Sequence, residues 1–125
     1  MKTTTRILLA LVTLLLLGGC NIADVVSLSP PDWIQGTWAD EFDINTYEFR
    51  SSTVIFTVSS MPIDFTVAYA QSSMGDSSTS TTYLITVVDT GVSASYYFED
   101  IDAASLNYSI TNNGVTVGPI VLYKK

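Results

Sequence analysis

Beyond residue 32 the chain alternates. Ile63, Phe65, Val67 and Tyr69 are separated by Asp64, Thr66 and Ala68, and Leu106, Tyr108 and Ile110 by Asn107 and Ser109. A period of two places every second side chain on one face of an extended backbone, so both stretches predict strands with one apolar face. "TVIFTVS", "ASYYFE", "VTVGPIVLY" and the shorter "TYEF" carry the same pattern. In "TYLITVV", Tyr83, Ile85 and Val87 share one face while Leu84 and Val88 occupy the other, which predicts deeper burial or a partner. With the opening "WIQGTW" the count is seven or eight strands, and no helix is predicted.

The breaks between the runs carry turn chemistry. Asn112 to Gly114 and Asp89 to Gly91 supply residues that accept positive φ, so each predicts a tight antiparallel hairpin. The Ser/Thr-rich stretch from Gln71 to Thr82 is almost free of apolar side chains and reads as the longest exposed loop, a plain connection or the lip of a pocket. Pro119, beside Gly118, predicts a bulge in the last strand or a position where its missing donor is not needed. Many short strands without a covering helix leave a small antiparallel barrel or a sandwich as ways to hide the sheet edges.

The first twenty residues have another character. Lys2 and Arg6 precede an apolar run from Ile7 to Leu17, too short for the roughly 20 residues that span a bilayer, and the run ends at Gly18, Gly19 and Cys20. "LGGC" at 17 to 20 resembles the lipobox of bacterial lipoproteins. The resemblance implies a signal peptide over 1–19 and acylation of Cys20, the only cysteine of the chain. Several acyl chains on one residue give stable membrane attachment, since each buried methylene contributes about 0.8 kcal/mol. It also implies, with Asn21 following the cysteine, the bacterial outer membrane, on its periplasmic face or at the cell surface. Residues 20–32, ending in Pro30 and Pro31, read as an acylated tether, and 33–125 as the folded domain.

Loss of residues 1–19 leaves 106 residues and moves the formal charge from −7 to about −9. Only Arg50, Lys124 and Lys125 remain as cations, which argues against nucleic acid and other polyanions. The chain has no histidine, so Ser-His-Asp and Cys-His catalysis and the usual zinc arrangements are excluded. The densest oxygen cluster, Asp40, Glu41, Asp43, Asn45 and Glu48, departs from the EF-hand spacing and reads as a solvated acidic loop, as does Glu99 to Asp102. No enzyme, metal or cofactor is expected.

"GTW", Gly36 to Trp38, places Ile34, Gly36 and Trp38 on one face of the first strand. It resembles the G-x-W signature of the calycins, the group of lipocalins, fatty-acid-binding proteins and avidins. The resemblance implies an up-and-down β-barrel whose tryptophan plugs the closed end beneath a basic residue of the last strand, here Lys124 or Lys125. "ADEFD" follows where avidins carry polar biotin contacts, so biotin is not the expected ligand. The inward aromatics Phe65, Tyr69, Tyr83, Tyr96, Phe98 and Tyr108 suit the wall of a pocket for a small hydrophobic or amphipathic ligand, or a filled core. Two functions follow: a membrane-anchored carrier of such a ligand, or a filled barrel that contacts an envelope protein, as an inhibitor for instance.

Overall fold

A computed structural model describes residues 27–125. The signal segment, Cys20 and the leading part of the tether lie outside the described residues. Nine strands form one antiparallel sheet: β1 (Gly36–Ala39), β2 (Asn45–Phe49), β3 (Val54–Val58), β4 (Met61–Asp64), β5 (Ser73–Ser78), β6 (Thr82–Asp89), β7 (Val92–Asp102), β8 (Ser105–Asn112) and β9 (Val115–Lys124). Their order is β4-β3-β2-β1-β9-β8-β7-β6-β5, so the first and last strands of the chain are neighbours. The sheet curls into a half-barrel with β4 and β5 as its edges.

Nine strands replace the seven or eight expected; the added one is β5, and the stretch around β4 differs as well. The stretch from Ile63 to Tyr69 is not one strand: β4 ends at Asp64, and Phe65–Ala68 form a single helical turn, α1. Asp64 caps it, accepting from the Thr66 amide at 3.0 Å, the Thr66 hydroxyl at 2.7 Å and the Thr53 hydroxyl at 2.6 Å. Phe65 and Tyr69 lie four apart, a spacing that satisfies both a helix face and a strand face. The helix wins because the chain must cross from one sheet edge to the other there. Val67, inward in a strand, is 74% exposed instead. The expected loop from Gln71 to Thr82 contains β5, which pairs with β6 along its full length. Its polar composition suits an edge strand, and Asp76 fixes it by accepting from the Tyr83 hydroxyl at 2.8 Å and the Ser29 amide at 2.6 Å.

The two-residue turns Thr90–Gly91 and Asn113–Gly114 have positive φ throughout, the conformation that matches strand twist. Ser59–Ser60 make a third turn of this kind with no glycine, at φ of 48° and 70°. Pro119 follows Gly118 through a cis bond, and the β8–β9 register shifts between Tyr108 and Ile110, where the bulge was expected.

Inward residues form cross-strand rows. Phe56, Tyr47 and Trp38 lie opposite one another on β3, β2 and β1, and Tyr83, Phe98 and Tyr108 on β6, β7 and β8. The rows meet across the interior, with Tyr47 edge-on to Phe98 at 5.5 Å. Leu28, Ile34, Val54, Leu106 and Leu122 complete the buried cluster. Leu28 donates its amide to Ser52 at 3.0 Å, so the packed unit already includes the end of the stretch read as tether.

Two backbone positions set stability in opposite directions. A Cβ on Gly118 (φ 115°) would lie 2.8 Å from the Tyr108 carbonyl, so Gly118→Ala should lower stability by about 1–3 kcal/mol. Ser60→Gly relieves a strained left-handed serine and should raise it by about 1 kcal/mol. Urea denaturation of both variants checks the pair; equal and unchanged midpoints would contradict the turn and bulge geometry.

Candidate functional site

The opening turn positions Trp38. Ile34 donates its amide to Pro31 at 3.1 Å and Gln35 to Asp32 at 3.3 Å, so the double proline starts a tight turn ahead of β1. Trp38 is buried and gives its indole N–H to the Ile34 carbonyl at 2.7 Å. Lys124 lies opposite it in the β1–β9 register, its Nζ 5.5 Å from the ring centroid. Gly36 adopts φ 123°, a conformation that favours glycine, and a Cβ there would sit in ordinary contact with Lys124 Cε at 3.5 Å. Lys125 goes elsewhere, pairing with Asp43 at 2.6 Å.

The six aromatic candidates divide. Phe65, Tyr83 and Phe98 are between 0% and 2% exposed and serve as core, with Phe98 stacked on Tyr108 at 5.0 Å and Phe65 packed on Tyr96 at 5.0 Å. Tyr69 and Tyr96, whose hydroxyls meet at 2.8 Å, line an open cleft of about 380 Å³ with Val87 and Ala94, rimmed by Asp89 and Asn112. Tyr108 lines a second cleft of about 160 Å³ with Tyr47, Phe56, Ile110 and Ile120, with Asp40 and Asn45 at its mouth. Tyr47 donates its hydroxyl to Tyr108. The cross-strand pair Tyr96–Ile110 lies between the two clefts. Each is an apolar hollow with a tyrosine pair and a few polar groups among its lining; the larger reaches the size of a small-molecule site, at about 300 Å³ or more, and the smaller does not.

Tyr47, Phe56, Ile110 and Ile120 were not among the sequence candidates. The alternation of Tyr47 and Phe49 in "TYEF" carried the signal for the first and that of Leu106, Tyr108 and Ile110 for Ile110, whereas Phe56 and Ile120 are brought beside them by register.

Acidic residues play local roles. The Asp40 carboxylate accepts from the amides of Ile44 at 2.9 Å and Asn45 at 3.3 Å and from the Asn45 side chain at 2.9 Å, closing the β1–β2 loop on itself. Asp102 accepts from the Ala104 amide at 2.8 Å in the β7–β8 turn, and Glu99 from the Tyr97 hydroxyl at 3.0 Å. Among the described residues no group of three or more acidic residues is placed to hold a metal ion. No described helix is long and apolar enough to cross a membrane. No protein-family model, curated protein or solved structure matches the chain.

Burial raises the pKa of Tyr47, with the neighbouring Tyr108 second; it raises that of Tyr83, with Asp76 second, and pushes Tyr108 up to about 12. An acid whose pKa rises on folding keeps its proton in the native state while the unfolded chain releases it near the ordinary value of 10.0. Stability should therefore be whole below about pH 10 and fall as pH climbs toward the folded values. The slope is up to about 1.4 kcal/mol per pH unit for each of the three phenols. Urea denaturation at stepped alkaline pH measures it, and a flat profile would mean the phenols are not shielded.

Proposed function

We propose that this protein is a lipid-anchored binding protein of the bacterial outer membrane that holds a small hydrophobic or amphipathic molecule in a lipocalin-like half-barrel. The observation that carries the ligand reading is the pair of clefts, each lined by aliphatic residues and by a pair of hydrogen-bonded tyrosines. Such walls remove apolar surface from water at about 25 cal/mol per Å², while phenol hydroxyls and rim groups orient a polar end. The lipocalin likeness is supported by Gly36, Trp38 and Lys124 acting as one packed unit where the chain ends meet. The anchor rests on the sequence of residues 1–20, and the reading includes no catalytic step.

A second reading keeps the same anchor but makes the domain a structural or protein-interaction module. It draws on the solid aromatic packing of Phe49, Tyr83 and Phe98, which leaves no room for a ligand there.

The full-length Cys20→Ser protein, expected in the soluble fraction, separates the readings. Native mass spectrometry after incubation with a bacterial envelope lipid extract should show a discrete added mass. Ile110→Trp, which fills the smaller cleft and abuts the larger, should remove that mass while the circular dichroism stays unchanged. A bare protein mass under all conditions would favour the interaction module, and continued membrane association of Cys20→Ser would rule out acylation as the anchor.

A further inference from the structure

The β1–β9 contact is short. β9 runs for ten residues, yet only Tyr123 and Lys124 pair with β1, through Ala39 and Trp38. Beyond Ala39 the chain turns away into the Asp40–Ile44 loop, whose backbone bonds run to itself and to Ser59: Asp40 to Asn45, Asp43 to Asp40, and Ser59 to Ile44. Among the described residues no strand pairs with that side of β9 from Val115 to Leu122. A groove of about 440 Å³ lies along it, with Asp40, Glu41 and Phe42 on one bank and Ile120, Val121 and Tyr123 on the other.

The backbone direction along β9 is fixed by its ends. The Lys124 amide bonds Ala104 toward β8, and the Lys125 amide bonds Thr37 toward β1. Alternation then turns Val121 toward the groove and Leu122 and Ile120 toward β8. At the other end, Asn112 and Val115 flank the two-residue turn and face each other, so Thr116 also points to the open side. Position 119 falls on this open side too, where a proline costs β8 no hydrogen bond.

We propose that this groove takes an extended, basic peptide segment of a partner protein, which adds a strand to the free side of β9. Main-chain bonds to Thr116 and Val121 supply the affinity, and the exposed Val117, Ile120 and Phe42 contact its apolar side chains. Charge selects the partner. Glu41 takes part in no ion pair among the described residues, Asp43 holds Lys125, and the described chain carries few cations against many carboxylates. A second copy would bring the same acidic loop against this one, so like charge disfavours self-pairing. The other edges are less suited: β4 is four residues long and contains Pro62, and β5 is a run of serines with Asp76 and Gly75. The groove shares Asp40 and Ile120 with the smaller inner cleft, but the main-chain groups it offers belong to β9.

The test is a titration of the full chain in detergent with a short peptide alternating lysine with valine, and with its glutamate counterpart, followed by hydrogen exchange. The lysine peptide should bind at least about tenfold more tightly than the glutamate one at low salt. The Thr116 and Val121 amides should gain protection, while Leu122 and Ile120, already bonded to β8, do not change. In Val121→Pro, which removes one outward donor, the lysine peptide should bind at least about tenfold more weakly. If that variant does not fold, the exchange pattern of the unaltered protein decides. Absence of binding up to about 1 mM, equal binding of both peptides, or protection at β4 or β5 instead would overturn the proposal. So would protection of Thr116 and Val121 in the peptide-free protein, which would assign the edge to a second copy or to the chain's own leading residues.

Discussion

Two residue pairs, Trp38 with Lys124 and Ala39 with Tyr123, hold the first strand against the last, and the nine-strand order exists only through them. Without that contact β1 to β4 and β5 to β9 are two separate meanders, each with an apolar face and no cover. The contact joins residues nearly the whole domain apart, so its loop-closure cost must be met by what it buries. Trp38 is suited to that task, because an indole removes about 200 Å² from water, worth about 5 kcal/mol at the usual coefficient. Its N–H is satisfied locally by Ile34, and its face receives the Lys124 cation. Gly36, two residues before it, takes the positive φ of 123° that this start of the strand uses.

The same shortness of contact creates what the surface can offer. Since β1 stops at Ala39, the wall beside β9 is left open, and the Asp40–Ile44 loop stands off from it rather than extending the sheet. The inner clefts have a related cause. The aromatic rows fill the interior around Phe98, but farther along the strands the inward residues become Ala94, Val87, Ile110 and Asn112, too small or too polar to close the space. Tyrosine hydroxyls are paired where the filled and open parts meet, so no buried side-chain donor or acceptor among the described residues is left without a partner.

The sheet edges show how local chemistry and long-range geometry compete. Asp64 ends β4 by offering its carboxylate to Thr66 and Thr53, and the next turn becomes helical. Phe65 and Tyr69 keep their inward direction through that turn, while Val67 loses its inward place and is exposed. β5, by contrast, has no apolar pattern of its own and is a strand because β6 presents a full ladder to it and Asp76 ties it to Tyr83 and Ser29.

The sequence by itself determined the all-β character, the inward aromatics, the tight turns after Asp89 and Asn112 and the irregularity at Pro119, because each depends on side-chain alternation or on the φ preference of a residue and its neighbour. It did not contain the turn at Ser59–Ser60, where the flanking strands impose left-handed backbone on two serines, or β5, whose pairing is supplied by its neighbour. It pointed to Tyr69, Tyr96 and Tyr108 but not to Phe56 or Ile120 beside them. Which inward residue is core and which lines a cleft depends on how far each strand extends past its partners, and that is fixed only when register and curvature are. Tertiary structure alone decided that β1 would be too short to cover β9, since the turn closed by Asp40 ends the strand before its partner does.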